Sequence, residues 1–286
     1  MTSSAPRAES VSPTAHYTGY VWARNDLSHP ALVTHEGRLL FNALRPPFIV
    51  SRALGLPTLE GFLLARHRLI DHVLDEAIGS GKVTQVIEIA CGLSARGWRF
   101  ATRYGERLTY VEADLPDMAA RKRRALEQAG SLGPHHRVVE IDALQDDGPL
   151  SLATLAARLE PGGGTAVITE GLLSYLDADA LSGLWRRIAR TLERFAYGVY
   201  LSDIRLAAHN EGPWADAFMW VLSQFVRGRV QLHFRDAADV LGALSDAGFA
   251  HSTLHSPTEL PTASALRPPD ARSVQVLEAL SRISSA

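Results

Sequence analysis

From Val83 onward the chain alternates short runs of β-branched and apolar residues with longer segments of helical spacing, and this alternation restricts the fold more than any other feature. A strand, a helix and a second strand in succession form a parallel βαβ unit, because the crossover helix must return the chain to the same edge of the sheet. Strands are expected over 85–89, 108–112, 137–141, 165–169, 197–202 and 249–255, and helices over about 95–104, 118–129, 152–159, 179–193 and 236–247. The runs VIEIA, TAVIT and YGVYLS are almost continuously apolar, as strands covered on both faces must be. The expected class is α/β, with a Rossmann-like, doubly wound, mostly parallel sheet. Residues 273–283 fit either a last strand, through the alternation of Val274 and Val276, or a terminal helix.

Before this core, residues 1–13 read as a disordered tail and 14–82 as an N-terminal helical cap. Pro46 and Pro47 are expected to break the cap, and Pro57 to close it before a helix over 59–78 that stops at Gly79 and Gly81. The core then covers 83–286. Within it an insertion over about 205–232 carries Trp214, Phe218, Trp220 and Phe225 and is expected to roof a pocket as a helical lid.

Composition narrows the function classes. Apolar residues at 46% and charged residues at 21% of 286 suit a folded globular chain. A net charge of −2 gives no general pull toward nucleic acid or an anionic membrane. With Cys91 as its single cysteine the chain forms no intrachain disulfide, and no Cys/His cluster has zinc spacing, so no metal is expected. The first residues lack the apolar core of a signal peptide, and no run of about 18 apolar residues occurs, so a cytoplasmic location is expected.

The strongest local signal is VIEIACGLSARGWRF, residues 86–100, where a buried strand carrying Glu88 enters a small-residue turn and then a helix. In a doubly wound fold this turn is where an adenosine binds. Ala90 and Gly92 permit a close backbone approach, but the loop lacks G-x-G-x-x-G, so an adenine dinucleotide and S-adenosylmethionine (SAM) both stay open on the loop alone. About twenty residues on, YVEADLP places Glu112 and Asp114 where a carboxylate can accept both ribose hydroxyls, and strand period cannot choose between them. Asp142 follows strand three near the expected adenine edge, and Glu170 ends strand four. Acidic residues at the carboxyl ends of successive strands suit a cationic ligand such as SAM.

In four motifs, ARHRLIDHVL (65–74), EIACGLSARGWRF (88–100), YVEADLPDMAARKRRAL (110–126) and ITEGLLSYL (168–176), the chain resembles the leucine carboxyl methyltransferase superfamily, which includes O-methyltransferases of bacterial polyketide biosynthesis. The resemblance implies a SAM-dependent methyltransferase. It further implies that Arg66 grips the SAM carboxylate, Gly92 lies along the methionine part, and Asp114 rather than Glu112 holds the ribose. Asp142 and Ala143 would flank adenine, and Glu170 would contact the methionine amino group. Ser94 and Ala95 depart from the Asp and Thr the family often has there.

The methyl acceptor is expected to be a small molecule, most simply a carboxylate, which is already anionic and needs no base; a phenol would need one. Candidates facing it are His16, Tyr17 and Tyr20 from the cap, Tyr175 after strand four, and Arg205, His209 and Trp214 from the insertion. Tyr20, Arg205 and His209 are the expected catalytic group, with Arg205 placed to neutralise a substrate carboxylate. A nicotinamide-dependent oxidoreductase and a non-catalytic SAM-binding module are the competing readings. The oligomeric state is not encoded in any feature identified.

Overall fold

The computed structural model describes residues 13–207, 231–260, 266, 268–272 and 274–282. Seven strands form one sheet: β1 (Gln85–Ile89), β2 (Thr109–Asp114), β3 (His136–Glu140), β4 (Gly164–Thr169), β5 (Tyr197–Ile204), β6 (His251–His255) and β7 (Gln275–Leu280). Their order is β3-β2-β1-β4-β5-β7-β6. The first five run parallel, and β7 is antiparallel to both β5 and β6. The α/β class and the mostly parallel sheet are those expected from the alternation of runs, and the segment that fitted strand or helix is a strand, β7.

Alternate residues of the strands feed two cores, as the period of two requires. Ile87, Val111, Val167 and Tyr200 pack beneath α6 (Leu152–Ala156), α7 (Ala178–Leu192) and α8 (Ala237–Ala247), with Leu155, Trp185, Ile188 and Leu244 in the contact. Val86, Tyr110, Ile168 and Leu201 face the other way, toward α3 (Leu59–Gly79) and α4 (Arg96–Tyr104), through Ile70, Leu74 and Phe100. The helix between β2 and β3, α5 (Pro116–Gln128), begins two residues before its expected start. Pro116 at its first turn explains this, since the missing N–H has no intrahelical partner there.

The cap consists of α1 (Pro13–Arg24), α2 (His35–Ala53) and the first half of α3, which bury Tyr17, Val21, Phe41, Phe62 and Leu63 together. The second half of α3 lies on the sheet, so this one helix ties cap to core. Pro46 and Pro47 do not break the cap: α2 runs through both. The carbonyls they leave without an intrahelical donor belong to Asn42 and Ala43, both exposed residues, while Thr34 caps the helix start by accepting from the Gly37 N–H at 3.1 Å. No described helix is long and apolar enough to cross a membrane.

Strand order reverses between β1 and β4, whose register pairs Ile89 with Thr169. Ala90 and Glu170 therefore leave the sheet side by side at its carboxyl edge, the topological switch point where open α/β sheets bind ligands.

Candidate active site

The turn after β1 is built on left-handed backbone at Ala90 (φ 54°) and Gly92 (φ 50°). The Gly92 N–H donates to Asp114 Oδ2 at 2.7 Å, and the Leu115 N–H donates to Asp114 Oδ1 at 2.8 Å, so the end of β2 is clasped to the loop. Burial raises the Asp114 carboxyl above its ordinary range, against the pull of those two hydrogen bonds. Cys91 is buried in the same loop and its thiol is pushed well up, which makes it a packing residue. Ser94 Oγ accepts from the Arg96 N–H at 3.1 Å and so helps start α4.

Glu112 is committed elsewhere. It is fully buried between Lys122 Nζ and His136 Nε2, each at 2.9 Å, and it accepts from the Gly97 N–H at 3.2 Å. A β-carbon on Gly97 would lie 2.7 Å from the Glu112 side chain, so only glycine fits beneath α4 there. Of the two carboxylates of β2, Asp114 is therefore the one that meets the turn after β1.

Glu170, at the end of β4, is the hub of a buried ionic network. It accepts from Arg66 Nε at 3.0 Å and Arg96 Nη2 at 2.5 Å, and His67 Nδ1 lies 2.8 Å from its second oxygen. Arg96 has no exposed surface and also bonds Glu88 and Asp71, each at 2.6 Å. His67 Nε2 faces Arg99 Nη2 at 2.9 Å, and His67 Nδ1 lies 2.8 Å from both Glu170 Oε2 and Arg96 Nη2. Burial alone would raise the Glu170 carboxyl, but His67, Arg96 and Arg66 hold it well below the usual range. Arg66 reaches on to Asp203 Oδ2 at 3.2 Å, while Asp203 Oδ1 accepts from the Gly171 N–H at 2.6 Å. Gly171 sits at φ 70°, and a β-carbon there would come within 2.9 Å of the Arg66 guanidinium.

Over this network lies a cavity of about 390 Å³, lined by Arg66, Glu88, Ala90, Gly92 and Glu170 below and by α1 above. Thr14, Thr18 and Trp22, one face of α1 at four-residue spacing, form the roof with Ala15 and Tyr17. The roof is close: a β-carbon on Gly19 would sit 3.2 Å from Leu93 Cβ.

Five of the expected cofactor residues, Arg66, Glu88, Ala90, Gly92 and Glu170, thus line one cavity. Asp114, Asp142 and Ala143 stand at or just beyond the carboxyl ends of β2 and β3, outside its lining. Asp142 accepts from the Leu144 N–H and from Gln145, each at 3.1 Å, and Ala143 is buried beside it. Among the expected acceptor residues, Tyr17 and Tyr175 line the cavity. His16 and Tyr20 do not; they turn toward α2, where His16 Nδ1 meets Thr34 Oγ1 at 2.9 Å and Tyr20 packs edge-on against Phe41 at 5.3 Å. Arg205 is buried just past β5, its guanidinium 5.4 Å from the ring centre of Phe62, which lines the cavity. His209, Trp214 and nearly all of the 205–232 insertion lie outside the described residues.

Sequence reasoning did not single out His67, Asp71 or Asp203. His67 and Asp71 interrupt, at four-residue spacing, a helix otherwise read from its apolar positions. Asp203 stands near the end of β5 as Glu170 stands after β4, so the same strand-end rule reaches it. Chemically, the adjacent Glu170 and Arg66 complement a ligand carrying an ammonium and a carboxylate on one carbon, and Asp114 at the loop suits a pair of hydroxyls.

Two actinobacterial proteins provisionally named S-adenosyl-L-methionine-dependent methyltransferases are similar in sequence. The one from Rhodococcus jostii is 37% identical over 175 residues, 57% of this chain and 58% of that protein. The one from Mycobacteroides abscessus is 33% identical over 199 residues, 69% of this chain and 55% of that protein. The chain thus spans a little over half the length of these relatives. In structure it resembles a provisionally named methyltransferase of Thermobifida fusca (TM-score 0.65, 12% identity, 96% of this chain and 97% of that one). A duf574 family protein of Streptomyces avermitilis is equally similar (TM-score 0.65, 14% identity, 94% of this chain and 97% of that one). These two likenesses bear on the fold. The sequence pattern of the leucine carboxyl methyltransferase family matches residues 31–189, and with more than half of its length so matched, across the loop, Asp114 and Glu170, the chain belongs to that family.

Proposed function

We propose that this protein binds SAM at the switch point and transfers its methyl group to an oxygen of a small molecule, with a carboxylate as the acceptor. The observation that carries the reading is the Glu170–Arg66 pair beside the Gly92 loop, with Asp114 clasped to the same loop. Arg66 would hold the methionine carboxylate and Glu170 the ammonium. Gly92 leaves room for the chain, Asp114 accepts the ribose hydroxyls, and Asp142 and Ala143 flank adenine. When bound, SAM supplies an electrophilic methyl group on a sulfonium. The work left to the protein is to align the acceptor oxygen with that carbon and to exclude water, which is worth several kcal/mol in effective molarity.

Two features support a carboxylate over a phenol. Among the described lining residues Glu88 and Glu170 are both bound to Arg96, so neither stands ready as a general base. Burial brings the Arg205 guanidinium down to about 10, with Asp203 pulling it up and Arg66 pushing it down. An anionic acceptor near Phe62 would offset that cost. The cap over 14–82 and the insertion over 205–232 are then the parts that select the acceptor, and a cytoplasmic role in secondary metabolism fits the likeness to polyketide O-methyltransferases.

Screening acids and phenols with radiolabelled SAM tests this reading, and acids are expected to be methylated to base-labile esters. Arg205→Gln is expected to raise KM for the accepted acid roughly 10- to 100-fold, the worth of one charge-assisted hydrogen bond. Methylation confined to phenols would transfer the reading to the phenolic alternative, and unchanged KM in the variant would remove Arg205 from acceptor binding.

A further inference from the structure

A second cavity, of about 560 Å³, lies on the far side of α3 between that helix and α2. Its apolar floor includes Phe41, Phe48, Ile49 and Leu64, and Arg24, Arg45 and Arg68 stand around it. Among the described residues these three arginines make no ion pair. Arg24 is instead placed over the Phe41 ring, 4.7 Å from its centre. Two carboxylates also line the cavity. Glu60 accepts from Asn25 Nδ2 at 3.2 Å, and Asp270 accepts from the Thr58 N–H at 2.6 Å and its hydroxyl at 3.3 Å.

Three guanidiniums with no ion pair among the described residues, around an aromatic floor, have a definite chemical complement. Guanidinium forks bind phosphate and carboxylate oxygens in pairs, and their planes stack on aromatic rings. The volume is that of a small-molecule site. We infer that this cavity binds an oxyanion, phosphate or carboxylate, carried on an aromatic or aliphatic body. The site is separate from the one proposed for methyl transfer and touches it through Tyr17, which lines both cavities. A ligand seated there would lie against the helix that roofs the first cavity.

Calorimetric titration of the full chain with phenyl phosphate, and in parallel with benzoate, tests the inference without SAM or turnover. At least one probe is expected to bind saturably with Kd near or below about 1 mM, and the tighter of the two identifies the anion. Arg45 is exposed, so Arg45→Glu is expected to leave the melting temperature unchanged and to weaken that probe at least about tenfold. Failure of both probes to saturate by about 10 mM, or the same Kd in Arg45→Glu, would overturn it.

Discussion

Replacing Arg96 with methionine is expected to lower stability by about 3–5 kcal/mol, because it removes the one guanidinium that Asp71, Glu88 and Glu170 share. Arg96 is fully buried and bonds Asp71, Glu88 and Glu170 at once. Methionine fills much of the same volume, so packing loss is small beside the loss of charge. For a chain of this size the melting temperature should fall by roughly 6–15 °C in thermal unfolding. The pH dependence separates charge from packing. Arg96 is among the groups that hold the Asp71 and Glu170 carboxyls low, so without it their folded pKa values rise, the stabilisation they give while ionised is smaller in the variant, and the difference closes as they protonate. The deficit should therefore shrink as pH falls from 7 toward 5. A deficit of under about 1 kcal/mol, or one independent of pH, would show that the network does not carry the fold's charge balance.

Asp114→Ala should weaken SAM binding steeply. A ribose diol gives a carboxylate two charge-assisted hydrogen bonds, each worth about 1.5–3 kcal/mol, so Kd is expected to rise by roughly 10²–10⁴. Asp114 also accepts from two backbone N–H groups, whose loss costs a few kcal/mol of stability on the same scale, so the melting temperature of the variant is read beside its SAM affinity. The wild-type protein carries the same signature in its pH profile. Since burial raises the Asp114 carboxyl, it protonates, and affinity falls, at a higher pH than for an ordinary aspartate; Glu170 stays ionised through that range. Titration with SAM from pH 7.5 down to 5 checks both points. Affinity flat in pH and unaltered in the variant would place the ribose elsewhere.

The sheet was legible because its central strands are buried on both faces and therefore almost continuously apolar, a property of each run taken by itself. The breaks were harder. Two prolines read locally as the end of a helix, yet α2 continues through Pro46 and Pro47, and the carbonyls they free belong to exposed residues, Asn42 and Ala43. The strand-end rule and the family resemblance together reached Arg66, Gly92 and Glu170, which line one cavity. Period could not separate Glu112 from Asp114, because the deciding partners, Lys122 and His136, arrive from α5 and β3. The buried ionic network was illegible for the same reason: His67, Arg96 and Glu170 meet across a hundred residues of chain. His16 and Tyr20 were expected at the acceptor because they lie in the N-terminal cap. Helix phase instead sets Thr14, Thr18 and Trp22 on the face of α1 that lines the cavity.

The most direct test of the account is calorimetric titration of the purified protein with SAM, S-adenosylhomocysteine and NAD in parallel. Micromolar binding of the first two, about −8 kcal/mol, and no heat with NAD are expected. Heat with NAD and none with SAM would contradict this and turn the search for substrates toward hydride transfer.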